Sequence, residues 1–391
     1  MKIALVNHTF SLSRGGLERF SVNLAAGLSK KGHSVHVFGQ RFADLPPEVV
    51  LHPIHVPKWP RWRRICSFQF RVSKAVKNEP FDITYALTRF YPADLYRMGD
   101  GLQVHWMRIR YSNPVWRWIN CLINPVHIVN LWLEKKILKD TGCKIIANSL
   151  LCKHQAQHYY GLAADRISVV YNGVDFSIFG HGPKADVRDR IREKIGLTPE
   201  DVAILHISNN WKRKGLACLM KAVANLKDCT DHRLHIVVVG RGRPERFAAL
   251  SRRLNLKNRL HFIGETQQVE AYYTACDLMV LPTMYDPFSN VCLEAMASGL
   301  PVITTAQNGA SELIRNWENG FIQKDPRDPS ELSGLIRNCL HPLQRSEMGK
   351  AARRTSITFT LDKNLDETSS VIASTLAHGK SNGYPRSRDR S

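Results

Sequence analysis

Two successive series of apolar runs and helically spaced segments organise this chain. In the first, short apolar stretches at 2–7, 34–38, 144–148 and 167–170 read as strands, and 16–31, 128–140 and 149–159 read as helices between them. Alternation of this kind predicts βαβ units and a parallel, Rossmann-like sheet. A second series follows, with strands near 202–208, 234–240, 260–264, 277–281 and 301–303 and helices at 215–226, 267–275, 290–299 and 309–315. Gly180, Gly182 and Pro183 lie between the two series and mark a hinge. The expected architecture is α/β: two Rossmann-like, doubly wound domains facing across a cleft at the carboxyl ends of their strands.

The expected division is 1–179, 180–357, a helix over 358–378 that crosses back to the first domain, and a basic, disordered tail at 379–391. Length supports the division. At 391 residues and 43% hydrophobic content the chain exceeds one ordinary core and suits two domains of under about 200 residues each. No run of 18 or more uncharged apolar residues is present, and Lys2–Asn7 reads as a strand rather than a secretion signal. A soluble or peripheral cytosolic protein is expected. Nine scattered cysteines without a Cys-x-x-Cys pair argue against a disulfide framework or a zinc site.

Charge changes the picture more than composition does. Lys and Arg number 55 against 34 Asp and Glu, a net of +21, which suits a polyanionic partner: nucleic acid, an anionic membrane or a phosphorylated saccharide. Six of the eight tryptophans fall between 57 and 132, among many cations. Trp59, Trp62, Arg63, Arg64, Trp106, Arg110, Trp116 and Trp118 are the candidates for contact with a membrane headgroup region, where rings sit at the interface and cations meet anionic lipid. Aromatics mixed with cations also suit nucleic acid. A basic nucleic-acid-binding protein on tandem Rossmann-like domains is therefore one rival, and a catalytically silent scaffold is another.

The candidate chemistry centres on Asp286 and Glu294, two acids with seven residues between them. A helix beginning near Ser289 would carry Glu294 on one face and leave Asp286 in the preceding loop. Unbonded amides at Asn290 and Val291 would form an anion site at its start. Phosphate there, with carboxylates on both sides for sugar hydroxyls, is the chemistry of a nucleotide-sugar site. Arg213 and Lys214, in the loop after the second domain's first strand, can neutralise a diphosphate leaving group. Gly15 and Gly16, after the first strand, allow close approach of a phosphate or sugar. Asp100, between Gly99 and Gly101, is the candidate to contact or deprotonate an acceptor hydroxyl, with His105 in reserve. No Asp-x-Asp motif ends an expected strand, so cations and a helix N-terminus are expected in place of a metal ion.

These segments resemble the retaining GT-B glycosyltransferases of family 4, whose mark is two acids separated by seven residues. The likeness extends through Gly15–Arg19, Tyr171–Asp175, Arg213–Gly215 and Phe262–Gly264. Within that family it is nearest to the enzymes that place glucose on heptose of the lipopolysaccharide inner core. The resemblance implies that Glu294 holds the ribose hydroxyls and Asp286 the donor sugar. Amides of Phe288, Ser289, Asn290 and Val291 would cradle the distal phosphate and sugar. Lys214 with Arg213 would balance the diphosphate, and Ile263 and Gly264 would lie against the base. Two positions depart from the family pattern: Asp286 stands where Glu is usual, and Asn209 where many members carry Arg. The expected enzyme needs no cofactor, takes a nucleotide sugar such as UDP-glucose, and works on a lipid-linked phosphorylated saccharide at the cytoplasmic face of the inner membrane.

Overall fold

The computed structural model describes residues 1–12, 15–180, 182, 185–226 and 233–381, with side chains to 377. It divides into two compact units. Unit 1 is Met1–Tyr171 with Leu361–Ser391, and unit 2 is Asn172–Thr360.

Unit 1 contains strands β1 (Lys2–Val6), β2 (Thr9–Phe10), β3 (Ser34–Gly39), β4 (Arg41–Phe42), β5 (Val50–Pro53), β6 (Ile83–Ala86), β7 (Leu95–Met98), β8 (Lys144–Ala147) and β9 (Ile167–Val169). Seven of them form one sheet in the order β5-β3-β1-β6-β7-β8-β9, while β2 and β4 pair separately. The ladders are parallel, with Lys2 opposite Ser34 and Ile3 opposite Ile83. Unit 2 carries β10 (Val202–Ile207), β11 (Leu234–Val239), β12 (Leu260–Gly264), β13 (Leu278–Leu281), β14 (Val302–Thr305) and β15 (Gly320–Gln323), ordered β12-β11-β10-β13-β14-β15. Every residue of β10 and β11 is buried, as strands covered by helices on both faces require. This is the doubly wound arrangement, with strand order reversing beside the first strand.

The Leu361–Ser381 helix belongs to unit 1, where Ile372 enters the core beside Leu28 and Ile3. It packs on the Gly16–Lys30 helix at Gly27, where an added Cβ would lie 2.5 Å from Leu365. Lys31 and Asp366 close the contact at 2.5 Å. Residues 379–381, expected in the tail, are thus helical; 382–391 lie outside the described residues.

Unit 2 begins at Asn172, earlier than the hinge expected at 180. The cause is bonding: the Val174 amide donates to Phe359, and Arg353 donates to the Gly180 carbonyl. The helix expected at 309–315 is a 3₁₀ turn, Gly309–Leu313. Unit 1 also holds elements that the apolar pattern did not single out, including three short strands, β5, β6 and β7, and the Arg61–Lys77 and Pro114–Ile123 helices.

Candidate active site

In unit 2 the donor-site candidates come together at the carboxyl ends of β10 and β13, which are paired neighbours. Lys214 leaves the end of β10 in a loop whose next residue, Gly215, has φ +79°. A Cβ on Gly215 would fall 2.0 Å from the Pro282 carbonyl oxygen, so only glycine lets this loop lie against the one after β13. The Met284 amide then donates to the Arg213 carbonyl at 2.9 Å.

Asp286 is fixed on both sides of its own peptide units. Its amide donates to Gln307, and its carbonyl accepts from Gly309, joining it to the loop after β14. Its Oδ1 accepts from the Phe288 amide at 3.2 Å, and its Oδ2 accepts from Ser289 Oγ at 2.5 Å. Lys214 Nζ makes an ion pair with Asp286 Oδ2 and donates to Ser289 Oγ at 2.8 Å. Lys214, Asp286 and Ser289 are all buried. Burial lowers the Lys214 ammonium, to about 7, and Arg213 pushes the same way, with Cys292 opposing.

Ser289 precedes the Asn290–Ala297 helix in extended conformation. Its amide donates to Asn308 Oδ1 at 3.1 Å, and that oxygen also accepts from Ala310. Asn308 is fully buried, its amide group donating to Thr304 at 2.9 Å. The amides of Asn290 and Val291 donate to no acceptor among the described residues and open the helix. One turn further, Glu294 is half-buried, its Oε2 accepting from Tyr273 OH at 2.8 Å. Tyr273 is buried against Phe179, with ring centroids 5.5 Å apart at 88°. Phe288 is buried, and Ile263 and Gly264 end β12 half-buried. A Cβ on Gly264 would meet nothing within 4 Å.

Three participants had little sequence signal. Asn308, in an Asn-Gly step after a strand, reads only as a turn. Tyr273 lies on the buried face of the Val269–Ala275 helix with no spacing to betray it. Asn172, which donates to Asn290 Oδ1 at 2.6 Å, falls within the Tyr171–Asp175 segment but had no role assigned. The direct Lys214–Asp286 pair was also unforeseen.

In unit 1, Gly15 caps the Gly16–Lys30 helix. A Cβ on Gly15 would meet the Glu18 carboxylate at 2.6 Å. Asp100, after β7, has a side chain 49% exposed, 3.9 Å from Arg89 Nη1. Its loop is held by hydrogen bonds. Arg89 donates to the Gly101 carbonyl at 2.7 Å and lies 3.5 Å from buried Glu134. Glu134 accepts from the amides of Gln103 and Val104 and from Tyr160 OH, holding the start of the Gln103–Arg110 helix. His105 is engaged by Tyr159 OH at 3.0 Å, and burial lowers it to about 4. His8, which the sequence passed over, is lowered to about 4 by burial and then by Arg64, with Asp100 opposing.

The aromatic candidates separate. Trp59, Trp62, Trp116 and Trp118 are exposed, Trp59 by 81% and Trp118 by 65%, whereas Trp106 is half-buried. Arg63 and Arg110 are exposed and Arg64 is half-buried. The Pro114–Ile123 helix buries none of its residues. Ile123 on it is 75% exposed, and Trp132 and Ile128 on the adjoining Pro125–Lys139 helix are exposed too. Among the described residues no helix is long and apolar enough to cross a membrane.

Two doubly wound parallel-sheet units, the second with paired acids and a lysine around an open helix start, give the chain a GT-B fold. The family model "Glycosyl transferases group 1" matches residues 187–355, and "Glycosyltransferase Family 4" matches 14–177. The chain belongs to this glycosyltransferase family. It is 23% identical to the lipopolysaccharide glucosyltransferase WaaG of Escherichia coli K12 over 83% of this chain and 86% of that protein. It is 27% identical to a D-inositol 3-phosphate glycosyltransferase of Thermomonospora curvata, over 90% and 89%. Among solved structures, WaaG superposes with a TM-score of 0.84 at 22% identity, over 95% of this chain and 99% of that one. Anabaena Alr3699/HepE in complex with UDP-glucose gives 0.71 at 20% identity, over 96% and 100%.

Proposed function

We propose that this protein is a retaining hexosyltransferase that moves glucose from UDP-glucose to a lipid-linked, phosphorylated saccharide, with heptose of the lipopolysaccharide inner core as the acceptor. The observation that carries the donor half is the Lys214–Asp286–Ser289 cluster at the helix that bears Glu294. Glu294, oriented by Tyr273, takes the ribose hydroxyls. The amides of Asn290 and Val291, with Lys214 and Arg213, receive the charge that develops on the departing diphosphate and serve in place of a metal ion. Asp286 Oδ1 and Oδ2 are both engaged within the protein, which suits a carboxylate that positions sugar hydroxyls better than one that attacks carbon. This favours departure and attack on the same sugar face over a covalent glycosyl-enzyme.

Unit 1 is the acceptor unit in this reading, with Asp100 facing the acceptor hydroxyl and Gly15 and Gly16 close to its phosphate. The exposed apolar residues of the Pro114–Ile123 helix, flanked by cations, support peripheral attachment to the cytoplasmic face of an anionic membrane. The inositol 3-phosphate enzymes among the relatives suggest a second acceptor class, a soluble phosphorylated polyol. The test is glucose transfer from labelled UDP-glucose to heptose-containing core lipid or to inositol 3-phosphate, with and without vesicles. Transfer to the lipid, enhanced by anionic vesicles, is expected. Transfer to inositol 3-phosphate alone would replace the lipid acceptor, and indifference to vesicle charge would remove the membrane reading.

A further inference from the structure

We infer that unit 1 carries a divalent-metal site formed by His36, His52 and Glu79, with zinc the best-matched ion. Among the described residues this is the one group of three or more His, Cys, Asp or Glu side chains whose ligand atoms all lie within 4.8 Å of one another. His36 Nδ1 is 2.9 Å from His52 Nε2, and Glu79 Oε2 is 3.8 Å from the first and 4.0 Å from the second. Three atoms with those separations lie on a circle of about 2.1 Å radius, the distance at which imidazole nitrogen and carboxylate oxygen ligate zinc.

The surroundings hold the donors toward that point. His36 Nε2 lies 3.3 Å from Ser34 Oγ, so an N–H there leaves Nδ1 as the ligand. The His52 ring stacks on Phe38 at 4.2 Å, and Phe81 meets the edge of His36 at 5.1 Å. Lys2 Nζ takes the other Glu79 oxygen, Oε1, at 2.5 Å, which turns Oε2 toward the histidines. His52 then moves its remaining proton to Nδ1 when Nε2 binds the ion. His52 and Glu79 are partly exposed, leaving room for water as a fourth ligand.

Unit 2 supplies the contrast. His235 and His261, on β11 and β12, repeat the diagonal placement of His36 and His52 on β3 and β5, with nitrogens 2.9 Å apart and rings inclined by the same 27°. There the acid, Asp201, lies 3.6 Å from Nε2 of His235, the ring nitrogen turned away from His261. That set is a hydrogen-bonded chain without a common centre. Convergence on one point, rather than histidine pairing itself, distinguishes unit 1, and cysteine spacing could not have revealed it.

The test is equilibrium dialysis of the untagged, chelator-treated full chain against zinc alone, with cobalt spectra as a second measurement. One zinc per chain is expected, lost in His52→Gln, weakened at least tenfold in Glu79→Gln and retained in His261→Gln. Cobalt should give the intense visible bands of four-coordination in the parent and not in His52→Gln. Glu79→Gln alters a partly exposed side chain, so unchanged circular dichroism separates lost ligation from lost fold. Zinc uptake no greater in the parent than in His52→Gln, or equal loss in His261→Gln, would overturn the assignment.

Discussion

Units 1 and 2 are wound on the same plan, a parallel sheet whose strand order reverses beside its first strand, yet their functional residues are held differently. In unit 2 the polar residues beyond the strand ends are bonded to one another, and all but the half-buried Glu294 are buried: Lys214 to Asp286 and Ser289, Ser289 to Asn308, Glu294 to Tyr273. In unit 1 a comparable network around Glu134 and Arg89 fixes the Asp100 loop, but Asp100 itself stays half-exposed, and a neighbouring helix presents bare Trp and Ile. A preorganised unit matches a small ligand of fixed geometry. An exposed apolar helix flanked by cations matches an extended surface.

The sharpest way to break this contrast is Lys214→Ala. Losing the cation should lower kcat/KM for the donor by about 10³. It should also cost unit 2 about 3 kcal/mol in denaturant unfolding, because Asp286 is left buried and unpaired. Adding Asp286→Ala should restore much of the stability and none of the activity. If Lys214→Ala is as stable as the parent, the buried pair does not organise the unit.

Acid should act on unit 2 through His206. It is fully buried, its Nδ1 3.1 Å from the Val280 carbonyl, and burial lowers it to about 4. A folded-state value below the unfolded one means that the unfolded chain binds the proton first. Stability is then complete above about pH 6.5 and declines as pH falls toward 4, by about 3 kcal/mol in all. Denaturant midpoints measured across this window should show the loss, and His206→Gln should reduce it, leaving the part due to His235, which burial also lowers to about 4. An equal slope in the variant would remove His206 as the cause.

For unit 1 the matching substitution is Trp116→Ser, Trp118→Ser and Ile123→Ser together. Binding to anionic vesicles should weaken about a hundredfold, since each apolar side chain loses burial in the interface. UDP-glucose hydrolysis without lipid should not change. A parallel loss of hydrolysis would mean that the helix supports the fold rather than a surface.

The smallest effect separates orientation from charge. Tyr273→Phe removes one hydroxyl from Glu294 and should raise the donor KM about fivefold, with kcat nearly intact, as expected for one hydrogen bond of about 1 kcal/mol. A fall in kcat alone would show that Tyr273 acts at the reacting centre.

How much of this was legible in sequence follows the same division. The first two strands of unit 2, Val202–Ile207 and Leu234–Val239, are six-residue, wholly buried apolar runs that stand out in the sequence, whereas the four-residue β15 did not. Unit 1 conceals β6 and β7, because four-residue strands leave little pattern, and the Pro114–Ile123 helix, although amphipathic, buries none of its residues and so does not read as a core element. Asp286, Ser289 and Glu294 could be placed from their spacing about a helix start. Tyr273 and Asn308 could not, since each reaches the site only through tertiary folding from another element. Trp106 differs from the exposed tryptophans for a related reason: its helix is anchored by Glu134, and the ring is half-buried.

The central claim is that unit 2 binds and activates a nucleotide sugar through the acid pair. Its most direct test is a panel of nucleotide sugars, assayed for binding and hydrolysis with the parent chain and with Glu294→Ala. UDP-glucose should be bound and consumed by the parent, and turnover should fall at least a hundredfold in the variant. If no nucleotide sugar is bound or consumed, or if Glu294→Ala behaves as the parent does, the donor site is not where this account places it.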